Sequence, residues 1–171
     1  MTRLMKPTLT GVLLSGVALP VVAETWNFTV IAGHPPLTRG VSAISDHFVT
    51  EGSKRVAELG HTINWTEAYA GAVAPPTGVL EAVESGVAEF GYVPQLFEGD
   101  KLPLDQITYI TPFGTSDLLK VMGVIDKLYA EIPAMTEAWA DNNQKVLAPV
   151  GIDTYHFVTK FPIEDVSDLD G

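Results

Sequence analysis

Apolar and polar positions fall into blocks whose period changes along the chain, from two to about 3.6 and back. The run "TWNFTVIA" (25–32) is rich in β-branched and aromatic residues and stops at Gly33, which predicts a buried strand. In "GHPPLTRG" the prolines keep the chain out of a helix. From 41 to 59 the spacing becomes helical: Ile44, Phe48, Val56 and Leu59 make one stripe, Glu51 stands four residues before Arg55, and Gly60 is a C-terminal stop. "HTINWTEAY" reads as a second strand and "AGAVAPP" as the loop after it. Thr77 is placed to cap a helix with Val79, Leu80, Val83 and Val87 inward, Glu81 and Glu84 in water, and Gly86 at its end.

"AEFGYV" predicts a third strand, and "PQLFEGDKLPLDQITYITPFG" a long irregular connection. Asp117 is placed to cap a helix that buries Leu118, Val121, Met122, Ile125 and Leu128, and Pro133 opens another through Trp139. "KVLAPVG" and "DTYHFVT" are the remaining strand candidates. Strands alternating with helices predict an α/β fold, an open layer of mostly parallel strands flanked by helices. Ligands of such sheets bind beyond the carboxyl ends of the strands. That rule selects the loops 33–36, 67–74, 92–97 and 151–156, which carry His34, Tyr69, Tyr92, Tyr155 and His156.

Composition narrows the class. With 171 residues, 46% hydrophobic and 18% charged, the chain has enough apolar content for one domain with a core. A net charge of −11, with only Lys54 and Arg55 adjacent among ten basic residues, argues against a nucleic-acid partner. Part of the apolar excess lies in "MTRLMKPTLTGVLLSGVALPVVAETW": Arg3 and Lys6, an apolar run from 11 to 22, then small residues before Glu24. This is the pattern of an export signal, residues 1–23, cleaved before Glu24, and it places the remaining chain outside the cytoplasm. There is no cysteine, so the exported chain folds by packing alone.

Candidate chemistry is sparse. His34, His47, His61 and His156 are the only histidines and no two have metal-type spacing; Asp153 and His156 are merely close. No G-x-S-x-G is present, and Ser85 in "ESGVAE" reads as part of a helix end. "YAGAVAPPTG" lacks the lysine and spacing of a phosphate loop. Asn27 in "NFT" matches a glycosylation acceptor but lies inside a predicted strand. The reading assigns no catalytic residue, no metal and no cofactor. What remains is aromatic: Tyr69, Tyr92, Tyr155 and Phe113 of "TPFG" stand at strand ends or in loops, where rings form core edges or the walls of a binding cleft.

Several stretches, in order from about 24 to 171, resemble the periplasmic solute-binding proteins of TRAP (tripartite ATP-independent periplasmic) transporters, the DctP-like family. They are "NFTVIAGHPP", "INWTEAYAGAVAPPTGVLEAVESGVAEFGYVP", "KLPLDQITYITPFG" and "FPIEDVSDLDG". The resemblance implies two α/β lobes that close on an organic acid, often a C4-dicarboxylate, and hand it to the membrane subunits of a permease in the periplasm. It also implies that residues 24–171 are an N-terminal lobe of a protein about twice as long, with the second lobe largely missing. The family's carboxylate-binding arginine would follow "DVSDLDG". Carried over residue by residue, Ile31–His34 match the first strand's exit, Tyr69–Val73, Gly71 among them, the loop after the second strand, and Tyr92 a cleft position. Tyr155 falls where some relatives place a second arginine. Tyrosine at 92 and 155 makes the expected pocket more aromatic and less cationic, which favours a monocarboxylate or aromatic acid. A lobe cut there is expected to expose apolar faces and strand edges. The alternatives are an exported enzyme with His34 or His156 as general base, or a solute-binding protein of an ATP-driven importer.

Overall fold

The computed structural model describes residues 22–111, 114–152 and 156–170. Three strands, β1 (Thr25–Ala32), β2 (Thr62–Ala68) and β3 (Phe90–Tyr92), form one parallel sheet in the order β2-β1-β3. The α/β alternation legible in the sequence is therefore present. Phe28 pairs with Trp65, Val30 with both Glu67 and Phe90, and Ala32 with Tyr92. Because side chains alternate across a strand, this register sorts the residues onto two faces.

One face carries Phe28, Trp65 and Phe90. Phe48 joins them from the helix that follows β1, and its ring centre lies 5.5 Å from Trp65 and 5.3 Å from Phe90. That helix runs as α1 (Arg39–Ala43), a wide π turn (Ile44–Val49) and α2 (Thr50–Glu58). The wide turn shifts the expected stripe: Val41 and Val49 are buried, while Leu59 is left 69% exposed. Glu51 pairs with Lys54 at 2.6 Å rather than with Arg55. Trp65 Nε1 donates to Ser53 Oγ at 3.0 Å, which ties α2 to β2.

The opposite face carries Ile31, packed with Ala74, Val79 and Ala88. Here α3 (Val79–Glu84) lies directly on β3: a β-carbon at Gly91 would come 2.8 Å from both Val79 and Val83. Thr77 does not cap this helix. It sits inside a 3₁₀ turn, Pro76–Gly78, that leads into α3, and Gly78 takes the cap position. Gly86 ends the helix with φ +75°, and Ser85 Oγ donates back to the Glu81 carbonyl at 2.7 Å.

The long connection contains short 3₁₀ turns at Gln95–Phe97 and Pro103–Gln106 and the single turn α4 (Ile107–Ile110). Asp117 caps α5 (Leu118–Glu131) by accepting from the Lys120 backbone N–H at 3.2 Å. The expected α5 stripe is in phase but only half-buried. Pro133 opens α6 (Pro133–Asp141), whose Trp139 packs on Leu80 and Leu102 in a second core.

Neither late strand candidate forms a strand among its described residues. Gln144 Nε2 donates to the Leu80 carbonyl at 2.8 Å, holding the start of 145–151 against α3, and Pro149 lacks an N–H for a ladder. The segment stands off from the free edge of β3 across a cavity of about 400 Å³. Among the described residues further on, Phe157 and Val158 are exposed, 80% and 95% accessible. The expected export signal lies outside the described residues, apart from its exposed last positions Val22 and Ala23.

Candidate functional site

The carboxyl ends of all three strands point the same way, and three of the selected loops leave from that edge. They converge closely. A β-carbon at Gly33 would fall 2.1 Å from the Pro76 backbone nitrogen, so only glycine lets the exit of β1 pass under the loop after β2. The loop after β2 is stitched to β1: Ala70 N–H donates to the His34 carbonyl at 2.9 Å and Gly71 N–H to the Ala32 carbonyl at 3.1 Å. Both Ala70 (φ +56°) and Gly71 (φ +76°) adopt the left-handed conformation that this turn requires.

Side chains on the helix-facing side of that edge follow from the register. Val30 opposes Glu67 and Ala32 opposes Tyr92; two residues further on, His34 and Tyr69 continue the same face. The His34 ring meets the Tyr92 ring edge to face, centroids 5.8 Å apart. Tyr92 in turn covers α1, since a β-carbon at Gly40 would come 2.6 Å from its ring. His34 Nδ1 is buried with no hydrogen-bond partner.

Tyr69 O–H donates to Glu67 Oε2 at 2.9 Å. Ser45 Oγ, from the π turn, also donates to Glu67 Oε2, at 2.5 Å, and lies 3.0 Å from the Tyr69 hydroxyl. Burial pushes the Tyr69 phenol up to about 12; the neighbouring Glu67 carboxylate adds to the shift and Ser45 opposes it.

The structure thus brings His34, Tyr69, Gly71 and Tyr92 to one edge. Phe113 and Tyr155 lie outside the described residues. The cavity beside β3 adjoins this group through Tyr92 alone; its walls are mainly apolar, from Val30, Phe48, Phe90, Trp139 and Val146. Sequence reading passed over Ser45, Gly40 and the side chain of Glu67. The signal for Glu67 was present: after Ile63 and Trp65 on one face of the strand, an acid at the next position of that face is out of pattern. Ser45 became a partner only through the π turn, which no local spacing announces.

Ion pairs among the described residues lie on the outer helices and the connection: Lys54–Glu51, Lys101 with Glu81 and Glu84, and Lys120–Asp117. No group of acidic, histidine or cysteine side chains among the described residues could hold a metal ion, and no described helix is long and apolar enough to cross a membrane. The chemistry on offer at the edge is ring stacking, an imidazole, backbone amides and a carboxylate–hydroxyl cluster. Compared with family models, curated proteins and solved structures, the chain finds no match in any of the three.

Proposed function

We propose that this chain captures an organic acid outside the cytoplasm and delivers it to the membrane subunits of a TRAP permease, as one lobe of a solute-binding protein and not as an enzyme. The observation that carries this reading is the convergence of His34, Tyr69, Gly71 and Tyr92 at the carboxyl edge of a parallel sheet, where α/β layers bind small molecules. Aromatic walls give a ligand contact area, and an imidazole edge orients a carboxylate. The first strand begins at Thr25, one residue after the expected signal cleavage, which fits an exported chain. Closure of a second lobe would desolvate the bound acid and complete its contacts.

Thermal-shift screening of the full-length protein, signal removed, against organic acids, sugars and inorganic cations tests this. A ligand that binds only the native state raises the midpoint by mass action. The expected result is a shift with one or more carboxylates and none with sugars or cations. Absence of any shift with acids, or turnover of a bound acid that His34→Ala abolishes, would overturn the reading.

A further inference from the structure

We propose that Glu67, held by Ser45 and Tyr69, selects an acid that also carries a protonated amine. This rests on the organic-acid reading above and names its substrate class. The hydrogen bonds decide what the cluster can offer. Ser45 and Tyr69 each own one hydroxyl proton, and both are used inside the cluster: Tyr69 donates to Glu67 Oε2, and Ser45 donates to that same oxygen at 2.5 Å, with the Tyr69 oxygen as a second acceptor at 3.0 Å. Tyr69 keeps its proton throughout the physiological range, as a phenol ionising at about 10 does, and burial moves it further up, to about 12.

No proton of the cluster is left to donate, and the oxygen left without a partner is an acceptor, Glu67 Oε1. Glu67 itself is exposed, so its free oxygen is open to the edge. Such a cluster repels a second carboxylate and complements an ammonium group, whose N–H donors match it and whose charge opposes that of Glu67. A dicarboxylate, the expectation from resemblance alone, would place like charges together. The cluster and the rest of the site sit on adjoining loops, since Ala70, next to Tyr69, is hydrogen-bonded to the backbone of His34 at 2.9 Å. A zwitterion can therefore set its ammonium at Glu67 and its carboxylate towards the His34–Tyr92 side.

A purely structural role, tying the π turn to β2, would make Glu67 indifferent to the ligand's amine. Matched pairs separate the two: phenylalanine against 3-phenylpropanoate, and alanine against propanoate, titrated into the full-length protein, with benzylsuccinate as a dicarboxylate. The expected result is that at least one amino acid binds about tenfold or more tighter than its des-amino partner, and that benzylsuccinate does not bind. Glu67→Gln keeps an acceptor for Ser45 and Tyr69, so its melting point without ligand stays close to wild type while the preference within each pair disappears. Glu67→Asp restores part of it. Des-amino acids that bind as tightly as the amino acids, or a preference that survives Glu67→Gln, overturn the inference and leave the organic-acid reading standing. No binding by any acid, in these pairs or in the wider screen, overturns both.

Discussion

The ring of His34 meets the ring of Tyr92 edge to face, and Tyr92 in turn rests on the backbone of α1 at Gly40. Two strand exits that are not neighbours in sequence are joined by this contact, with an imidazole whose Nδ1 is buried and unpaired. An unpaired buried polar atom costs stability, so no hydrogen bond of Nδ1 accounts for a histidine at 34, and only the ring contact with Tyr92 does. His34→Leu keeps most of the volume and removes the orphan atom. The expected outcome is a melting free energy within about 1 kcal/mol of wild type, or slightly higher, together with loss of the ligand-induced thermal shift. A large fall in stability without ligand would mark His34 as a packing residue instead.

How much of this was legible in the sequence depends on the reach of the interaction. The strands at 25–32 and 62–68, the Asp117 cap, the Gly86 stop and the Pro133 start depend on neighbours within one turn or strand, and the spacing of residues showed them. The carboxyl-edge rule then placed His34, Tyr69 and Tyr92 together. What stayed hidden depends on long-range geometry: the π turn that brings Ser45 to Glu67, the proline turn that displaces Thr77 from its cap, and the hydrogen bond from Gln144 to Leu80 that holds 145–151 off the sheet.

Glycines at the edge and in the helices should respond in opposite directions. At Gly33 a new β-carbon overlaps the Pro75–Pro76 backbone, which cannot move without displacing the loop. Gly33→Ala is expected to cost about 1–3 kcal/mol, as overpacking does. Gly123, inside α5, has nothing within 4 Å of its would-be β-carbon. Gly123→Ala should stabilise by about 0.5–1 kcal/mol, through helix propensity. Urea unfolding of both variants checks the pair, and a neutral Gly33→Ala would show that the loops are not in close contact in solution.

A buried polar knot fastens the connection to the last helices. Asp105 accepts from the Tyr129 hydroxyl and, through Oδ2, from Trp139 Nε1 at 3.2 Å. Burial raises the Asp105 carboxyl above its ordinary range, while these two donors hold it down. Asp105→Ala strands the Tyr129 hydroxyl next to Leu80 and Leu102, while Trp139 Nε1 keeps the Tyr129 oxygen as an acceptor at 3.1 Å, and the loss is expected to cost about 1–3 kcal/mol. Tyr129→Phe removes one donor and leaves the Trp139 bond, so its cost should be smaller. Equal stabilities of the two variants and wild type by chemical denaturation would mean the knot contributes nothing.

Glu98 gives the fold a pH slope of its own. It is 6% exposed and its Oε1 has no partner. Burial, and then the nearby Glu81, raise its ionisation above the usual carboxylate value, with Lys101 pulling the other way. In the folded chain the proton is therefore held more tightly than in the unfolded one. As pH rises from the ordinary carboxylate value the unfolded chain releases its proton first, and the folded state loses stability until the buried group has also ionised; above that the loss is constant. Glu98→Gln cannot ionise and lacks this slope. Its melting point relative to wild type should be lowest near pH 4, climb with pH and stay level once Glu98 is ionised. A difference between the two proteins that does not change with pH would show that Glu98 titrates as it does in the unfolded chain.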